Sequence, residues 1–241
     1  MEKIKKIHYK RVLIKISGES LSGEQAIDLG SEVIDILAEQ IKKLIALSAQ
    51  IAIVIGGGNI WRGNFGNGDM DRVTSDYMGM LATMINSLAL QNALESRGIP
   101  TRVQSAIEMQ KLAEPFIRRK AIRHLEKNRV VIFSCGTGNP FFTTDTAAVL
   151  RAAEIEADLI LKATKVDFVY SDDPKKNPNA VKYDEISYEE AFSKNLKIMD
   201  ATAFSLCMEK NIPIIVLNMK NKDSILKAVM GEKVGTLVKK L

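Results

Sequence analysis

The 241-residue chain is poor in the residues that build disulfides, zinc sites and acid–base catalytic sets, with two cysteines, two histidines and one tryptophan. Cys135 and Cys207 lie far apart in apolar contexts, a spacing that excludes a zinc knuckle and a disulfide scaffold. His8 and His124 lie in polar, basic stretches, so no Ser-His-Asp or Cys-His set is indicated. Only 6 prolines and 15 glycines are present, which excludes collagen-like and linker-rich chains.

Long apolar runs and dense basic runs are also missing. No stretch approaches the roughly 18 uninterrupted apolar residues that span a bilayer, and the polar start at Met1–Lys10 has no apolar segment behind it. We therefore expect a cytoplasmic, reduced protein that is not bound to a membrane. The 34 basic and 29 acidic residues leave a net charge of +5, which suits anionic substrates; without a basic run, no nucleic-acid partner is expected.

Short apolar runs alternate with amphipathic segments from end to end. The runs predict buried strands at Val12–Ser17, Ile51–Ile55, Arg102–Ser105, Val130–Ser134, Leu159–Ala163 and Ile214–Asn218. Helical periodicity predicts helices at Ser31–Leu47, Thr74–Arg97, Thr146–Glu156, Tyr188–Asn195, Ala201–Lys210 and Ser224–Met230. This alternation predicts an α/β fold, with a mostly parallel sheet covered on both faces by helices, in a single domain over residues 1–241.

The helix predicted at Thr74–Arg97 carries a longer apolar stripe than one buried face requires. This stripe consists of Met78, Leu81, Met84, Ile85 and Leu88, and we expect these residues and Leu94 to face inward. Unless the whole stripe faces the sheet, part of this helix is expected to pack against a second subunit.

Ligands of such sheets bind at the carboxyl ends of the strands, where the first two predicted strands carry unusual residues. Lys15 lies inside an apolar strand just before Ser17 and Gly18, which suits a phosphate, although a lysine on an exposed strand face is the alternative. The second strand is followed by Gly56–Gly58 and Arg62, whose backbone N–H groups and guanidinium also suit phosphate oxygens. The spacing fits neither the dinucleotide fingerprint nor the P-loop.

Two further strand ends are unusual. The segment Gly136–Asp145 combines a glycine turn, a proline, two aromatics and two hydroxyls with Asp145 at the predicted N-cap of the next helix. Asp145 could act only as a cap, and Thr143 and Thr144 could bond only to nearby backbone. The crowding of these features at one strand end favours a ligand-binding loop. The segment Lys162–Pro174 has lysines, a hydroxyl and a tyrosine, but alone it would indicate only a charged loop.

Seven motifs follow one another across nearly the whole chain: KISGE, IGGGNIWRG, DYMGMLATMINSLAL, GTGNPFFTTD, KATKVD, DDP and MDATA. Together they resemble the bacterial uridylate (UMP) kinases, a branch of the amino acid kinase superfamily. The resemblance implies a three-layer αβα sandwich and a homo-oligomer, expected to be a hexamer. It also implies transfer of the ATP γ-phosphoryl group to UMP in pyrimidine nucleotide synthesis, with Mg²⁺ held mainly by the ATP phosphates and no residue assigned to a metal.

The same resemblance implies roles for individual residues. Catalytic roles would belong to Lys15, Arg62, Asp145 and Lys162. ATP contacts would be made by Lys15, Ile16, Ser17, Gly18, Gly58, Arg62, Thr164, Tyr170 and Asp173. UMP contacts would be made by Gly57, Asp76, Thr137, Gly138, Asn139, Pro140, Phe141, Phe142, Thr143 and Thr144.

The chain departs from the family pattern in two places. Phe168 stands where many members have the glycine of KVDGVY, and the sequence EQAID after Gly23 lacks a glycine–aromatic–glycine stretch. The second departure argues against activation by GTP, whereas UTP is expected to be a feedback inhibitor that shares the UMP loop. Two alternatives stay open: a related kinase acting on a carboxylate or carbamate, and a nucleotide-binding regulator without turnover. The loop GTGNPFFTT argues against the first, and Lys15 with Arg62 against the second.

Overall fold

The computed structural model describes residues 7–21, 30–62, 70–174, 176–196 and 198–240, so the segment after Gly23 lies outside the described residues. Within these ranges the strands are β1 (Arg11–Ile16), β2 (Gln50–Ile55), β3 (Thr101–Ser105), β4 (Glu114–Pro115), β5 (Val130–Ser134), β6 (Leu159–Thr164), β7 (Val169–Tyr170), β8 (Lys182–Tyr183), β9 (Glu185–Ser187), β10 (Ile214–Asn218) and β11 (Thr236–Lys239). The helices are α1 (Gly18–Leu21), α2 (Ser31–Ala46), α3 (Arg72–Glu95), α4 (Arg118–Glu126), α5 (Thr144–Glu154), α6 (Tyr188–Ser193), α7 (Ala201–Lys210) and α8 (Ser224–Val229).

Nine of these strands form one sheet in the order β4-β3-β5-β2-β1-β6-β10-β11-β9. All neighbours pair in parallel except β10 with β11. The central strand β1 lies between β2 and β6, in a register that sets Lys15 beside Val54 on one side and Lys162 on the other. The short strands β7 and β8 form a separate antiparallel hairpin.

Helices cover both faces of the sheet, which confirms the expected three-layer α/β architecture. Val12, Ile14 and Ile16 of β1 belong to the apolar cluster that α2, α3 and α8 complete. Leu13 belongs to the opposite cluster, completed by α4, α5, α6 and α7. Successive side chains of a strand point to opposite faces of the sheet. Lys15 therefore points to the same face as Leu13, where α5 packs against β1.

The sequence predictions of the main elements are confirmed, with ends that differ by at most two residues. One assignment is wrong: Leu81 and Ile85 of α3 do not point inward but are 48% and 46% exposed, whereas Met84 and Leu94 are buried. The two exposed residues lie four positions apart, on the outer side of the helix. No helix in the described ranges is long and apolar enough to cross a bilayer.

Candidate functional site

Two lysines stand side by side at the carboxyl ends of the central strands. Lys15 and Lys162 are register partners, and their side chains are only 12% and 15% exposed. Like charges in this arrangement repel each other. Asp145 of α5 lies between them: its Oδ1 meets the Lys15 ammonium at 2.8 Å as an ion pair, and its Oδ2 accepts a 2.8 Å hydrogen bond from Lys162. We call Lys15, Asp145 and Lys162 the triad.

The electrostatics of the triad follow from its burial. Burial disfavours the charged carboxyl of Asp145, but the two ammonium groups outweigh that effect and hold its pKa below the ordinary value. Burial also lowers the pKa of Lys162; the charge of Asp145 opposes this shift and that of Lys15 adds to it. The Lys162 ammonium gains a further partner because it donates to the carbonyl of Ile198. Both lysines are thus fixed in position before any ligand arrives.

Asp145 is free for this role because it does not cap its helix, which corrects the sequence prediction. The N-cap of α5 is Thr143, whose Oγ1 accepts hydrogen bonds from the backbone N–H groups of Asp145 and Thr146 at 3.0 and 3.4 Å. Asp145 lies in the first turn, where the helix dipole favours a negative charge. Its carboxylate can therefore point at the lysines.

A cleft of about 490 Å³ opens beside the glycine loop that follows β2. We call it the glycine-loop cleft; its lining is Glu19, Gly57, Gly58, Trp61, Arg62, Ser75, Asp76, Gly79, Met80, Thr83, Gly136, Thr137, Phe142, Thr143 and Thr144. A Cβ on Gly57 would lie 2.8 Å from both the Ala82 Cβ and the Gly79 carbonyl oxygen, so only glycine lets the loop approach α3 this closely.

Asp76 joins α3 to the loop that ends β5. Its carboxylate accepts hydrogen bonds from Arg72 Nε at 2.9 Å and from the backbone N–H of Phe141 at 2.7 Å. Phe141 has φ +74°, a conformation that is strained for an aromatic residue. The Asp76 hydrogen bond therefore helps to hold a strained turn. Phe141 and Phe142 are both exposed, so neither belongs to the hydrophobic core.

Arg62 lies at the mouth of the same cleft, where it pairs with Glu19 and donates from Nε to the Gly58 carbonyl at 3.1 Å. Both side chains of the ion pair are about half exposed. Exposed pairs of this kind contribute about 0–1 kcal/mol, so Arg62 can exchange Glu19 for an anion in the cleft at small cost.

A second cleft, of about 470 Å³, lies between β6 and the β7–β8 hairpin. We call it the hairpin cleft; its lining is Lys162, Thr164, Val166, Phe168, Val169, Tyr170, Asp172, Asp173, Pro174, Leu196, Ile198 and Val216. Lys162 belongs both to this lining and to the triad, while Thr144, next to Asp145, lines the glycine-loop cleft. The triad therefore extends from the lining of the hairpin cleft to the chain neighbour of a residue that lines the glycine-loop cleft.

Most of the residues named by the sequence analysis line one of the two clefts. Gly58 and Arg62, assigned to ATP, line the glycine-loop cleft together with six of the ten residues assigned to UMP: Gly57, Asp76, Thr137, Phe142, Thr143 and Thr144. Thr164, Tyr170 and Asp173 line the hairpin cleft.

Of the triad, only Lys162 lines a cleft; Lys15 and Asp145 line neither. The other assigned residues that line neither cleft are Ile16, Ser17, Gly18, Gly138, Asn139, Pro140 and Phe141. The side chain of Ile16 is fully buried in the core. Its backbone carbonyl accepts a hydrogen bond from the Gly56 N–H at 2.9 Å. Gly18 starts α1 against the side chain of Asn59, and a Cβ on Gly18 would clash with the Asn59 Oδ1. These residues shape the strand ends without lining either cleft.

The sequence analysis gave no role to Asp200, which lies in the MDATA motif. Its carboxylate caps α7 by accepting from the Ala203 N–H at 2.9 Å, and it also accepts from the hydroxyls of Thr143 and Thr146. An aspartate before an apolar helix is a recognisable N-cap signal. The local sequence does not indicate that the same carboxylate also accepts hydrogen bonds from the hydroxyls of Thr143, the N-cap of α5, and Thr146. These two hydrogen bonds fix the start of α5.

The nine-stranded α/β sheet and the clefts at its carboxyl edge define the class of the protein: the chain belongs to the amino acid kinase family, which matches residues 10–218. It is similar to the solved structure of UMP kinase from Bacillus anthracis, with 39% identity, 96% coverage of each chain and a TM-score of 0.92. UMP kinase from Ureaplasma parvum is 45% identical, with 96% of this chain and 99% of that chain covered and a TM-score of 0.89. Uridylate kinase from Archaeoglobus fulgidus is 31% identical over 94% and 99% of the chains, with a TM-score of 0.72.

The triad predicts a specific stability defect for Asp145→Asn. Removing the carboxylate leaves two little-exposed lysines without their counter-charge, so we expect the free energy of unfolding in urea to fall by on the order of 3 kcal/mol at neutral pH. The difference in the free energy of unfolding between the variant and the wild type should become smaller as the pH rises to where lysines lose their protons. Deprotonation of Lys162 then removes its repulsion of Lys15. The difference should also become smaller in acid, because the depressed pKa of Asp145 stabilises the wild type only above the pH at which this carboxyl is protonated.

The matched control is Asp223→Asn, since Asp223 is partly exposed, pairs with the exposed Lys43 and makes no side-chain cap hydrogen bond. This variant should lose little stability. Equal losses in the two variants, or a difference from wild type that is constant with pH, would contradict the role of Asp145.

Proposed function

We propose that this chain transfers the γ-phosphoryl group of ATP to UMP, giving UDP and ADP. It is a nucleoside monophosphate kinase of the amino acid kinase family. The observation that carries the proposal is the triad, which holds two ammonium groups side by side at the carboxyl ends of β1 and β6, with Lys162 in the lining of the hairpin cleft and Asp145 next to Thr144 of the glycine-loop cleft. The similarity to UMP kinases from three organisms supports the choice of UMP as acceptor.

UMP would bind in the glycine-loop cleft and ATP in the hairpin cleft. The loop from Thr137 to Thr144 offers hydroxyls and backbone to a uridine nucleotide, and Asp76 can accept hydrogen bonds from the ribose. The hairpin cleft has apolar walls beside Thr164, Tyr170 and Asp173, which suits a flat base with a polar sugar. The γ-phosphoryl group then lies beside Lys15 and Lys162.

The reaction needs alignment and charge neutralisation more than a strong base. A phosphate oxygen of UMP attacks the γ-phosphorus while the bond from that phosphorus to the β–γ bridging oxygen breaks, so ADP leaves with the electron pair. The attacking oxygen is already anionic near neutral pH, and no proton needs to be removed. Lys15 and Lys162 stabilise the charge on the transferring group, Asp145 positions them, and Arg62 binds the phosphates from the glycine-loop side.

Mg²⁺ is the expected cofactor and would arrive with ATP, because Mg²⁺ commonly keeps phosphate and water ligands with few protein carboxylates. Within the described ranges no three His, Cys, Asp or Glu side chains converge. When bound, Mg²⁺ neutralises charge on the transferring phosphates.

A related kinase acting on a carboxylate or carbamate is the nearer alternative. It would not need the loop from Thr137 to Thr144 at the glycine-loop cleft. A coupled assay with ATP and Mg²⁺ against UMP, CMP, dCMP, aspartate and glutamate distinguishes the two. We expect turnover with UMP and none with the amino acids; phosphorylation of a carboxylate without UMP turnover would reject the proposal.

Lys15→Met is expected to lower kcat with UMP by about 10²- to 10³-fold, as the loss of one group that stabilises the transferring charge typically does. The fold should persist because Asp145 keeps Lys162 as its partner. The control is Lys43→Met, which removes a lysine paired with an aspartate at an exposed position and should leave kcat unchanged. Near-wild-type turnover in folded Lys15→Met would remove Lys15 from the catalytic groups.

We also propose that the chain forms a homo-oligomer through the outer face of α3. Val73, Tyr77, Leu81 and Ile85 are all exposed and recur every four residues, so they form one apolar stripe along the helix. A second copy can present the same stripe, as the self-complementary interface of a symmetric dimer requires. The resemblance to UMP kinases suggests that such dimers assemble further into a hexamer.

The double variant Leu81→Glu, Ile85→Glu should dissociate the oligomer, because two carboxylates within the stripe would be desolvated in the interface. Light scattering should give a multiple of 26.7 kDa for the wild type and a smaller mass for the variant. Val181→Glu changes an exposed valine on the β7–β8 hairpin and should leave the mass unchanged. A monomeric wild type at micromolar concentration would refute the oligomer.

UTP should inhibit by occupying the UMP site, since it shares uracil, ribose and a phosphate with UMP. The extra phosphates need cations, and Arg62 is at the mouth of the cleft, while Arg72 pairs with Asp76 at its edge. Titrating UTP at fixed ATP and several UMP concentrations should therefore show competition. Inhibition that UMP does not relieve would reject a shared site. GTP should have little effect, and strong activation would contradict that expectation.

A further inference from the structure

Phe168 is a wall shared by two cavities. It lines the hairpin cleft and also a third cavity of about 500 Å³, whose lining includes His8, Tyr9, Lys182 and Leu237. We call this third space the rear cavity. Because Phe168 belongs to both linings, its ring separates the hairpin cleft from the rear cavity.

The position of Lys182 indicates which face of the ring is available to a ligand. The Lys182 ammonium lies 4.2 Å from the centroid of the Phe168 ring. Lys182 lines the rear cavity but not the hairpin cleft, so the cation covers the rear side and leaves the other face to the hairpin cleft. Asp184, 2.7 Å from the same ammonium, and the pairing of Lys182 with Tyr170 hold this arrangement in place.

We propose that Phe168 stacks on the base of the donor nucleotide and sets the affinity for that nucleotide. The inference rests on the proposed function for its choice of ligand. The apolar part of the hairpin cleft otherwise consists mainly of aliphatic side chains, from Val166, Leu196, Ile198 and Val216, with Tyr170 as the second aromatic residue of the lining. Aliphatic walls enclose a flat apolar ring without directional contacts. Phe168 adds an aromatic plane, and the ammonium behind it draws π-electron density away from the face that would meet the base.

Stacking of this kind is tolerant of base identity, because every base has a π-face. Phe168 should therefore strengthen the binding of ATP, dATP and GTP by similar factors and should not choose among them. Family members with glycine at this position would lack this contact, so the effect belongs to chains that carry an aromatic residue here.

The test compares Phe168→Leu with Phe168→Tyr. The leucine keeps an apolar side chain but no ring, and we expect the KM for ATP to rise about 5- to 20-fold, in line with the worth of one base–aromatic stack. The KM for UMP, kcat and Tm should stay near wild type. Phe168→Tyr should restore the KM for ATP, and Phe192→Leu, at an exposed phenylalanine on α6, should change nothing.

The stacking role is overturned if Phe168→Leu leaves the KM for ATP unchanged or if Phe168→Tyr is as impaired as the leucine variant. It is also overturned if the KM for UMP rises in parallel, because Phe168 would then only support the local packing. Lys182→Met provides an independent check: losing a cation from the ring should weaken ATP binding about 2- to 5-fold, whereas Lys233→Met, also at the rear cavity, should not.

Calorimetric titration of ADP, without any acceptor, separates this inference from the proposed function. If the wild type binds ADP but does not phosphorylate UMP, the choice of acceptor fails while the comparison of variants still decides the role of Phe168. If the wild type phosphorylates UMP and Phe168→Leu binds ADP as tightly as the wild type, only the stacking role fails.

Discussion

The register of β1 against β6 sets Lys15 and Lys162 side by side, and the geometry of the site depends on the carboxylate that separates them. A sheet with two adjacent, little-exposed ammonium groups is unfavourable unless a counter-charge meets both. Asp145 meets both at 2.8 Å. Its position depends in turn on where α5 begins, which Thr143 fixes as N-cap and Asp200 supports by accepting the hydroxyls of Thr143 and Thr146.

The loop between β5 and α5 leads into the start of α5 and is hydrogen-bonded to side chains of α3. Cys135 and Phe141 have positive φ values of 61° and 74°, unusual for residues with side chains. Each donates its backbone N–H to a side chain of α3: Cys135 to the Thr83 hydroxyl at 2.8 Å, and Phe141 to Asp76 at 2.7 Å. Backbone strain persists only where the surroundings over-determine it, so one long helix both lines the glycine-loop cleft and fixes the opposite wall.

The sequence alone predicted the helices and strands that have continuous apolar patterns. It did not predict the features that depend on contacts between residues distant in the sequence. Val130–Ser134 was predicted with its observed ends because all five residues are apolar or small and buried. Strands β7, β8 and β9 were not predicted, because a strand of two or three residues is too short to show a periodic pattern. Thr143 and Asp145 are both good N-cap residues, and only the lysines of two distant strands decide that Asp145 points elsewhere. Leu81 and Ile85 were predicted to face inward because both are apolar. Their four-residue spacing puts them on one side of the helix but does not indicate whether that side faces the sheet or the solvent.

The cations around the clefts fall into two groups with different physical behaviour. Lys15 and Lys162 are little exposed and share one little-exposed carboxylate, which holds them in place without a ligand. Arg62 and Arg72 have half-exposed or exposed side chains, which pair with Glu19 and Asp76. Fixed charges cost no reorganisation when negative charge moves during phosphoryl transfer, whereas exchangeable ones can leave their partners when a nucleotide enters. The burial of each ion pair thus separates the groups that would stabilise the reaction from those that would admit and release the nucleotides.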